Sequence, residues 1–210
     1  MRFADLDAVT VDGYGTLLTL VDPVPSLTQS LAERGIDREP ELVREAFAAE
    51  VAYYRPEAVR GRDAEALAVL RRDCTGVFLG RAAAELEPAS FVDAFMAAIR
   101  FEAVPGALET LAALRARGLA LAVVSNWDVG LAEHLERLGV DDLFSVVVTS
   151  AEAGAAKPDP AAFLLALKRL GVQPGRALHV GDEDEDEQGA AQAGMKFAAA
   201  PLATAFEGWS

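Results

Sequence analysis

From residue 105 to residue 199, the chain alternates helical segments with short, continuously apolar ones, and a glycine follows each helix. The helical pattern covers residues 107–117, 129–138, 161–170 and 188–193, and the apolar segments are residues 119–125, 145–149, 177–181 and 196–199. A strand that is apolar at every position is typical of a parallel sheet buried on both faces. The pattern therefore predicts an α/β fold with a parallel sheet core and helices on both faces.

Residues 8–12 form a further apolar strand that ends at a turn, after which the pattern changes. Helical spacing recurs over residues 26–34, 39–55, 63–79 and 91–99, which are separated by glycine and proline and show no β alternation. Because the first strand belongs to the same sheet as the later ones, these helices interrupt the core. We predict a core domain of residues 1–19 and 104–210, and an inserted all-helical domain of residues 20–103.

The composition limits what the protein binds. Its 19 basic and 33 acidic residues give a net charge of −14, which argues against nucleic acid or an anionic membrane as a partner. A single cysteine excludes an intramolecular disulfide, and two histidines are too few for a histidine-rich zinc site. The acidic start, residues 1–7, and the lack of a long apolar run predict a cytoplasmic protein. A monomer and a homodimer are both compatible with the sequence.

Polar residues follow the predicted strands at four places. They are Asp12 and Thr16, then Ser125 and Asn126, then Lys157, and last the six consecutive acids of residues 182–187. Ligands of an open parallel sheet bind at the carboxyl ends of its strands. All four clusters are therefore expected to meet in one crevice, although each has a purely structural interpretation when it is taken alone.

The first three clusters contain residue types suited to phosphate or carboxylate chemistry. A carboxylate held at a sheet edge, as predicted for Asp12, attacks phosphorus or carbon; the alternative is an acidic turn. The hydroxyl of Ser125 bonds a substrate oxygen, or it caps the helix that follows. Lys157, next to a Pro-Asp-Pro turn, neutralises a nucleophile and an anionic substrate, or it is a surface lysine.

The acidic run of residues 182–187 indicates a cation site. Consecutive carboxylates repel one another and raise one another's pKa values unless a cation is present. Ligands that offer only oxygen favour Mg²⁺ over zinc. The alternative is a solvated acidic loop, which suits some of these acids but not Asp182, directly after the strand.

These segments resemble the four motifs of the haloacid dehalogenase superfamily of hydrolases, and the resemblance covers the whole chain. The matching stretches are Thr-Val-Asp-Gly-Tyr-Gly-Thr-Leu (10–17), Val-Val-Ser-Asn (123–126), Ser-Ala-Glu-Ala-Gly-Ala-Ala-Lys-Pro-Asp-Pro (150–160) and His-Val-Gly-Asp (179–182) with Gly-Ala-Ala-Gln-Ala-Gly-Met (189–195). The resemblance implies a Rossmann-like core, with residues 20–103 as a cap domain that closes over the site and excludes water.

The resemblance also implies roles in catalysis. Asp12 would be the nucleophile that takes the phosphoryl group, and Thr16, Ser125 and Lys157 would hold that group, since phosphoryl transfer depends on positioning and charge stabilisation. Residues in or beside the matching motifs are expected to contact the substrate: Tyr14, Asn126 and Trp127.

A magnesium site is implied as well. The second carboxylate oxygen of Asp12, the backbone carbonyl of Tyr14 and the side chain of Asp182 would bind Mg²⁺. Asp186 would be an outer acid of the same site. A small phosphorylated molecule is the expected partner.

Tyr14 departs from the phosphatase pattern, which usually has an acid–base aspartate two residues after the nucleophile. A phenol is a poor base at neutral pH. Three functions are therefore weighed. The acidic fourth motif favours a Mg²⁺-dependent phosphatase acting on a small phosphate monoester, which is the function we expect. Tyr14 favours a metal-independent 2-haloacid dehalogenase, in which Arg44 or Arg55 would grip the substrate carboxylate. The third is a non-catalytic phosphate-binding descendant.

Overall fold

The computed structural model describes residues 2–209, and its strands form two sheets. The strands are β1 (Ala8–Val11), β2 (Leu18–Leu20), β3 (Phe101–Ala103), β4 (Ala120–Ser125), β5 (Val146–Thr149), β6 (Ala177–Gly181) and β7 (Lys196–Ala199). Five of them lie side by side in the order β5-β4-β1-β6-β7, and every neighbouring pair is parallel. The predicted parallel sheet core is confirmed; the outer bounds of the predicted core domain, Met1 and Ser210, lie outside the described residues.

Helices cover both faces of this sheet. The helices are α1 (Val24–Ala32), α2 (Pro40–Glu57), α3 (Ala64–Arg81), α4 (Pro88–Ala98), α5 (Ala107–Ala116), α6 (Leu131–Leu138), α7 (Ser150–Ala153), α8 (Ala161–Leu170) and α9 (Asp184–Gln192). Successive side chains of a strand point to opposite faces. Val9 and Val11 therefore pack with residues of α5 and α6, and Ala8 packs with residues of α8 and α9. Helices on both faces are thus confirmed.

Helices α1–α4, called the helical segment below, lie between β2 and β3 and enclose a hydrophobic cluster of their own. Phe78, Phe91 and Phe95 are fully buried in it. The helices are those that the sequence predicted, but α2 continues through Pro56, before which its end was predicted. A proline in the last turn costs one backbone hydrogen bond, and the helix reaches Glu57 despite that loss. Among residues 2–209, no helix has the length and apolar character needed to cross a membrane.

Strands β2 and β3 pair antiparallel, with Leu18 opposite Ala103 and Leu20 opposite Phe101. The expectation of no strand in residues 20–103 is wrong for β3 and for Leu20, the last residue of β2, because three residues are too few for an alternating pattern to be recognised. The two strands lie where the chain enters and leaves the helical segment. Its two connections to the core are therefore side by side.

Helix α9 begins inside the acidic run, at Asp184, whereas the sequence predicted its start at residue 188. Acids in the first turn of a helix interact favourably with the helix dipole. Glu183 and Asp186 add a capping box, in which each side chain accepts a backbone N–H of the other's residue. Most of the acidic run is therefore the first turn of a helix rather than a loop.

Candidate active site

Three of the predicted site residues converge at the carboxyl edge of the sheet. Asp12 follows β1 and is only 6% exposed, Ser125 ends β4, and Lys157 lies between α7 and α8. The backbone N–H of Asp12 donates to the carbonyl of Val180 in β6 at 2.9 Å, which extends the parallel ladder by one residue. The central strands of the sheet therefore fix the position of this carboxylate.

One ammonium group bridges two buried carboxylates. Lys157 Nζ donates to Asp12 Oδ1 and to Asp186 Oδ1, each at 2.5 Å. Ser125 Oγ donates to the same Asp12 oxygen at 3.0 Å, and a Cβ added at Gly13 would lie 2.8 Å from that hydroxyl, so glycine permits the approach. No donor among residues 2–209 reaches Asp12 Oδ2, and the carboxylate thus keeps an oxygen with free lone pairs.

The charges of these groups depend on one another. Burial raises the pKa of Asp12, and the positive charge of Lys157 opposes that rise. Burial lowers the pKa of Lys157, but the carboxylates of Asp12 and Asp186 outweigh it and raise the pKa overall. Burial also acts to raise the pKa of Asp186, yet the hydrogen bond from His179 and the charge of Lys157 lower it to about 2. Lys157 is therefore an ammonium and Asp186 a carboxylate at neutral pH.

Two core residues that the sequence analysis did not assign to the site hold Asp186 in place. His179 is fully buried in β6, with Nδ1 2.8 Å from Thr10 Oγ1 and Nε2 3.0 Å from Asp186 Oδ1. Burial lowers the pKa of His179, so the ring is neutral, and its Nε2–H donates to the Asp186 carboxylate. Nδ1 then accepts the hydrogen bond of the Thr10 hydroxyl. Thr10 lies opposite His179 in the pairing of β1 with β6. Knowledge of this strand register would have been needed to predict their contact.

Three carboxylates form a group that suits a hard divalent cation. One oxygen each of Asp12, Asp182 and Asp186 lie within 4.8 Å of one another. Burial raises the pKa of Asp182, and the negative charges of Asp186 and Glu183 raise it further, while a hydrogen bond from Thr16 opposes the rise. The donors are all oxygens, and Lys157 is the one cation bonded to this group within the described chain, so negative charge is in excess. Such a set fits a hard divalent cation.

Other residues predicted for the site lie in different surroundings. Thr16 is fully buried, and its hydroxyl donates to Asp182 Oδ1 at 3.0 Å, so its present contact is the acidic group. The Tyr14 side chain lies along a cavity and is 43% exposed. Asn126 accepts the backbone N–H of Lys157 at 2.7 Å and donates to Glu185 at 3.1 Å. Asn126 thereby fixes the loop that carries the lysine.

A cavity of about 430 Å³ extends from the sheet edge beneath the helical segment. Its lining includes Asp12, Asn126, Lys157 and Trp127, whose ring packs edge-on against Phe101 with the centroids 5.1 Å apart. The volume is within the range of sites for small molecules. The nucleophile candidate, the lysine and the predicted substrate contacts therefore face one space.

The two arginines considered for a substrate carboxylate differ in position. Arg55 lies along the cavity and is 3.7 Å from a carboxylate oxygen of Glu183. Arg44 is half-exposed, pairs with Asp22 and Glu41 at 3.8 Å each, and does not line this cavity. Of the two, Arg55 alone is placed to meet a ligand there.

Comparison with known proteins agrees with this arrangement. The sequence profile of the haloacid dehalogenase-like hydrolases matches residues 6–194. Because the match spans nearly the whole chain, the chain belongs to this hydrolase family.

Individual relatives are similar over part of the chain. Haloacid dehalogenase-like hydrolase domain-containing protein 3 of Mus musculus is 44% identical over 102 residues, which are 48% of this chain and 41% of that protein. The glyceraldehyde 3-phosphate phosphatase of Methanopyrus kandleri is 46% identical over 93 residues, 43% of this chain and 40% of the phosphatase. The matches thus span less than half the length of these relatives.

A solved structure matches over most of the chain. A phosphatase of the same superfamily from Thermococcus onnurineus superposes with a TM-score of 0.61 at 28% identity, covering 91% of this chain and 85% of the other. The parallel sheet and its helices are therefore shared with a protein of this family.

Proposed function

We propose that the protein is a Mg²⁺-dependent phosphatase that hydrolyses a small phosphate monoester through a phosphoryl intermediate on Asp12. The buried Asp12 carboxylate carries this proposal, because it accepts from Ser125 and Lys157 on one oxygen and faces a cavity. The phosphatase names of the relative from Methanopyrus kandleri and of the structure from Thermococcus onnurineus support it. The helical segment lies over the cavity, and we propose that residues 20–103 act as the cap domain.

In the first step, an Asp12 oxygen forms a bond to phosphorus while the bond from phosphorus to the ester oxygen breaks. The departing alkoxide takes a proton from solvent water, and a second water then hydrolyses the acyl phosphate to give inorganic phosphate and free Asp12. Lys157 Nζ and Ser125 Oγ, which now meet Asp12 Oδ1, would donate to the oxygens of the transferred group and balance its charge. Thr16 would act through Asp182, to which its hydroxyl donates.

Asp12 and Asp182 would hold Mg²⁺ together with the backbone carbonyl of Tyr14, and Asp186 would lie beside the site. The cation would supply positive charge next to the phosphate, in addition to that of the Lys157 ammonium. The three clustered carboxylates support this assignment, because oxygen donors without a nearby soft ligand suit Mg²⁺.

Metal removal tests the proposal directly. We expect the purified protein to release phosphate from 4-nitrophenyl phosphate in the presence of Mg²⁺, and EDTA to reduce the rate at least about tenfold, because the excess negative charge at the sheet edge then repels the substrate. Phosphate release is measured with and without EDTA, and excess Mg²⁺ should restore the rate. A rate that is the same in EDTA would contradict the proposed metal dependence.

A 2-haloacid dehalogenase is the second candidate, which Tyr14 and the position of Arg55 on the cavity wall favour. Such an enzyme would form an ester between Asp12 and the substrate carbon as the halide leaves, without a metal. Chloride release from 2-chloropropionate in EDTA, together with no phosphate release in Mg²⁺, would establish the dehalogenase in place of the phosphatase.

Tyr14→Asp should increase phosphatase activity. An aspartate beside the nucleophile would protonate the departing alcohol and activate the water, and such acid–base groups contribute about 10²–10⁴ in rate. We expect a larger gain on phenyl phosphate than on 4-nitrophenyl phosphate, because a good leaving group needs no proton. The kcat values of both substrates are compared between variant and wild type, with Tyr14→Phe as the control. An equal gain on both substrates, or none, would refute the proposed role of Tyr14.

A further inference from the structure

The cavity continues from Asp12 into a mostly apolar space enclosed by the helical segment. Its walls there include Phe47, Val51, Leu70, Phe95, Met96 and Ile99, which come from α2, α3 and α4 and the residue after α4. A substrate whose phosphate lies at Asp12 would extend its leaving group into this space. Transfer of an apolar leaving group from water into this space is favourable, and it would strengthen binding.

Two buried carboxyl groups line the cavity away from the sheet edge, and Asp128 accepts hydrogen bonds from the Tyr54 hydroxyl at 2.8 Å and the Gly130 N–H at 2.7 Å. The other is Glu50. Glu50 of α2 is only 5% exposed, yet it lines the cavity, and no cationic side chain within residues 2–209 pairs with it. Burial raises the pKa of Glu50 to about 7, although the neighbouring Cys74 thiol acts to lower it. A buried carboxyl group without a strong donor is costly for the fold, and a ligand that brings a donor would remove that cost.

The guanidinium groups on the cavity wall are already compensated by acids. Arg71 Nη2 donates to Glu133 at 3.0 Å, and the negative charge of Asp128 lies near it as well. Arg55 is next to Glu183 at 3.7 Å. Arg71 Nε is buried and has no hydrogen-bond partner among residues 2–209, so an anionic ligand would compete through this donor or through Arg55. Among the described residues, Glu50 is therefore the carboxyl or guanidinium group of α2 and α3 that lines the cavity without a charged partner.

On the basis of the proposed phosphatase function, we infer that the substrate is a phosphate ester of an elongated, mainly apolar alcohol whose far end carries a protonated amine that Glu50 receives. Phosphate esters with a carboxylate at that end are disfavoured. The apolar wall favours leaving groups with an apolar middle portion, and Glu50 favours those with a positive charge at the far end.

Three aryl phosphates that differ at one end test this inference. They are O-phosphotyramine, 4-propylphenyl phosphate and 3-(4-phosphonooxyphenyl)propanoate, which carry an amine, a methyl group and a carboxylate at the end opposite the phosphate. We expect kcat/KM of the wild-type protein to fall in that order, with at least about a tenfold difference between amine and carboxylate. Equal values, or a preference for the carboxylate, would overturn the inference without any variant being made.

Glu50→Gln assigns the preference to this side chain. We expect the ratio of kcat/KM between amine and carboxylate substrates to fall to within about threefold of unity, because glutamine keeps the size but not the charge. Glu41→Gln is the matched control, since Glu41 is on the same helix with its side chain 79% exposed. An unchanged ratio in Glu50→Gln would rule out Glu50. If the carboxylate substrate is preferred and Arg71→Gln abolishes that preference, the cavity binds an anionic group through Arg71 instead.

A binding measurement separates this inference from the proposed reaction. Tyramine and 3-(4-hydroxyphenyl)propanoate are the alcohols that two of the substrates would release, and isothermal titration calorimetry measures their binding without hydrolysis. Tighter binding of tyramine that Glu50→Gln removes would support the inference even if no phosphate ester were hydrolysed, in which case the proposed function alone fails. Equal binding of both alcohols would overturn the inference even in an active phosphatase.

Discussion

Asp12→Asn is expected to reduce turnover of 4-nitrophenyl phosphate at least about 10³-fold, because the amide oxygen is a far weaker nucleophile than a carboxylate. Asparagine keeps the shape of the side chain, and its oxygen still accepts from Lys157 and Ser125, so the fold should be retained. Phosphate release at saturating Mg²⁺ is the measurement. Mass spectrometry of acid-quenched protein should find a phosphoryl group on the peptide containing residue 12 of the wild type and none in the variant.

Asp184→Asn is the matched control for this experiment. Asp184 belongs to the acidic run but is exposed and outside the group formed by Asp12, Asp182 and Asp186. Its variant should retain activity close to that of the wild type. Turnover by Asp12→Asn that equals turnover by the control would end the assignment of the nucleophile.

Lys157→Met should lower the free energy of unfolding by about 3–5 kcal/mol, which is the usual cost of removing one partner from a buried ion pair. The Lys157 side chain is 4% exposed and lies 2.5 Å from both Asp12 and Asp186, whose carboxylates would then face each other without a cation. Urea denaturation of the variant and the wild type measures the difference. Added Mg²⁺ should stabilise the variant more than the wild type, because it replaces part of the lost charge.

Lys168→Met controls for the loss of a lysine in general. Lys168 is exposed on α8, and its replacement should change the free energy of unfolding by less than about 0.5 kcal/mol. If both lysine variants are equally stable, the ammonium of Lys157 does not hold the two carboxylates together.

The convergence of Asp12, Ser125 and Lys157 could be predicted because parallel strands place their carboxyl ends at a common edge. The continuous apolar strands and the glycine after each helix made those ends recognisable from the sequence. Predicting that residues at strand ends converge requires only the local sequence pattern and the rule that the carboxyl ends of parallel strands share one edge of the sheet.

Other features depend on information that a local pattern lacks. The bond between Thr10 and His179 follows from the register of β1 against β6, which is set by the packing of the whole sheet. The place of Glu50 on the cavity wall depends on how α2 lies over the core. The early start of α9 depends on its helix dipole and on the capping box of Glu183 and Asp186. The capping box could not be recognised in the sequence, because every residue from 182 to 187 is acidic.

The pairing of β2 with β3 has a consequence for how such a chain diversifies. Leu18 and Ala103 are partners, so 84 intervening residues begin and end at neighbouring points of the molecule (from 19 to 102). A shorter, longer or altogether different set of helices joined at these two strands would leave every hydrogen bond of the parallel sheet as it is. In the proposed phosphatase, the helices that wall the leaving-group side of the cavity would therefore belong to a different stretch of the polypeptide from Asp12, Ser125 and Lys157, so that one could change while the other is preserved.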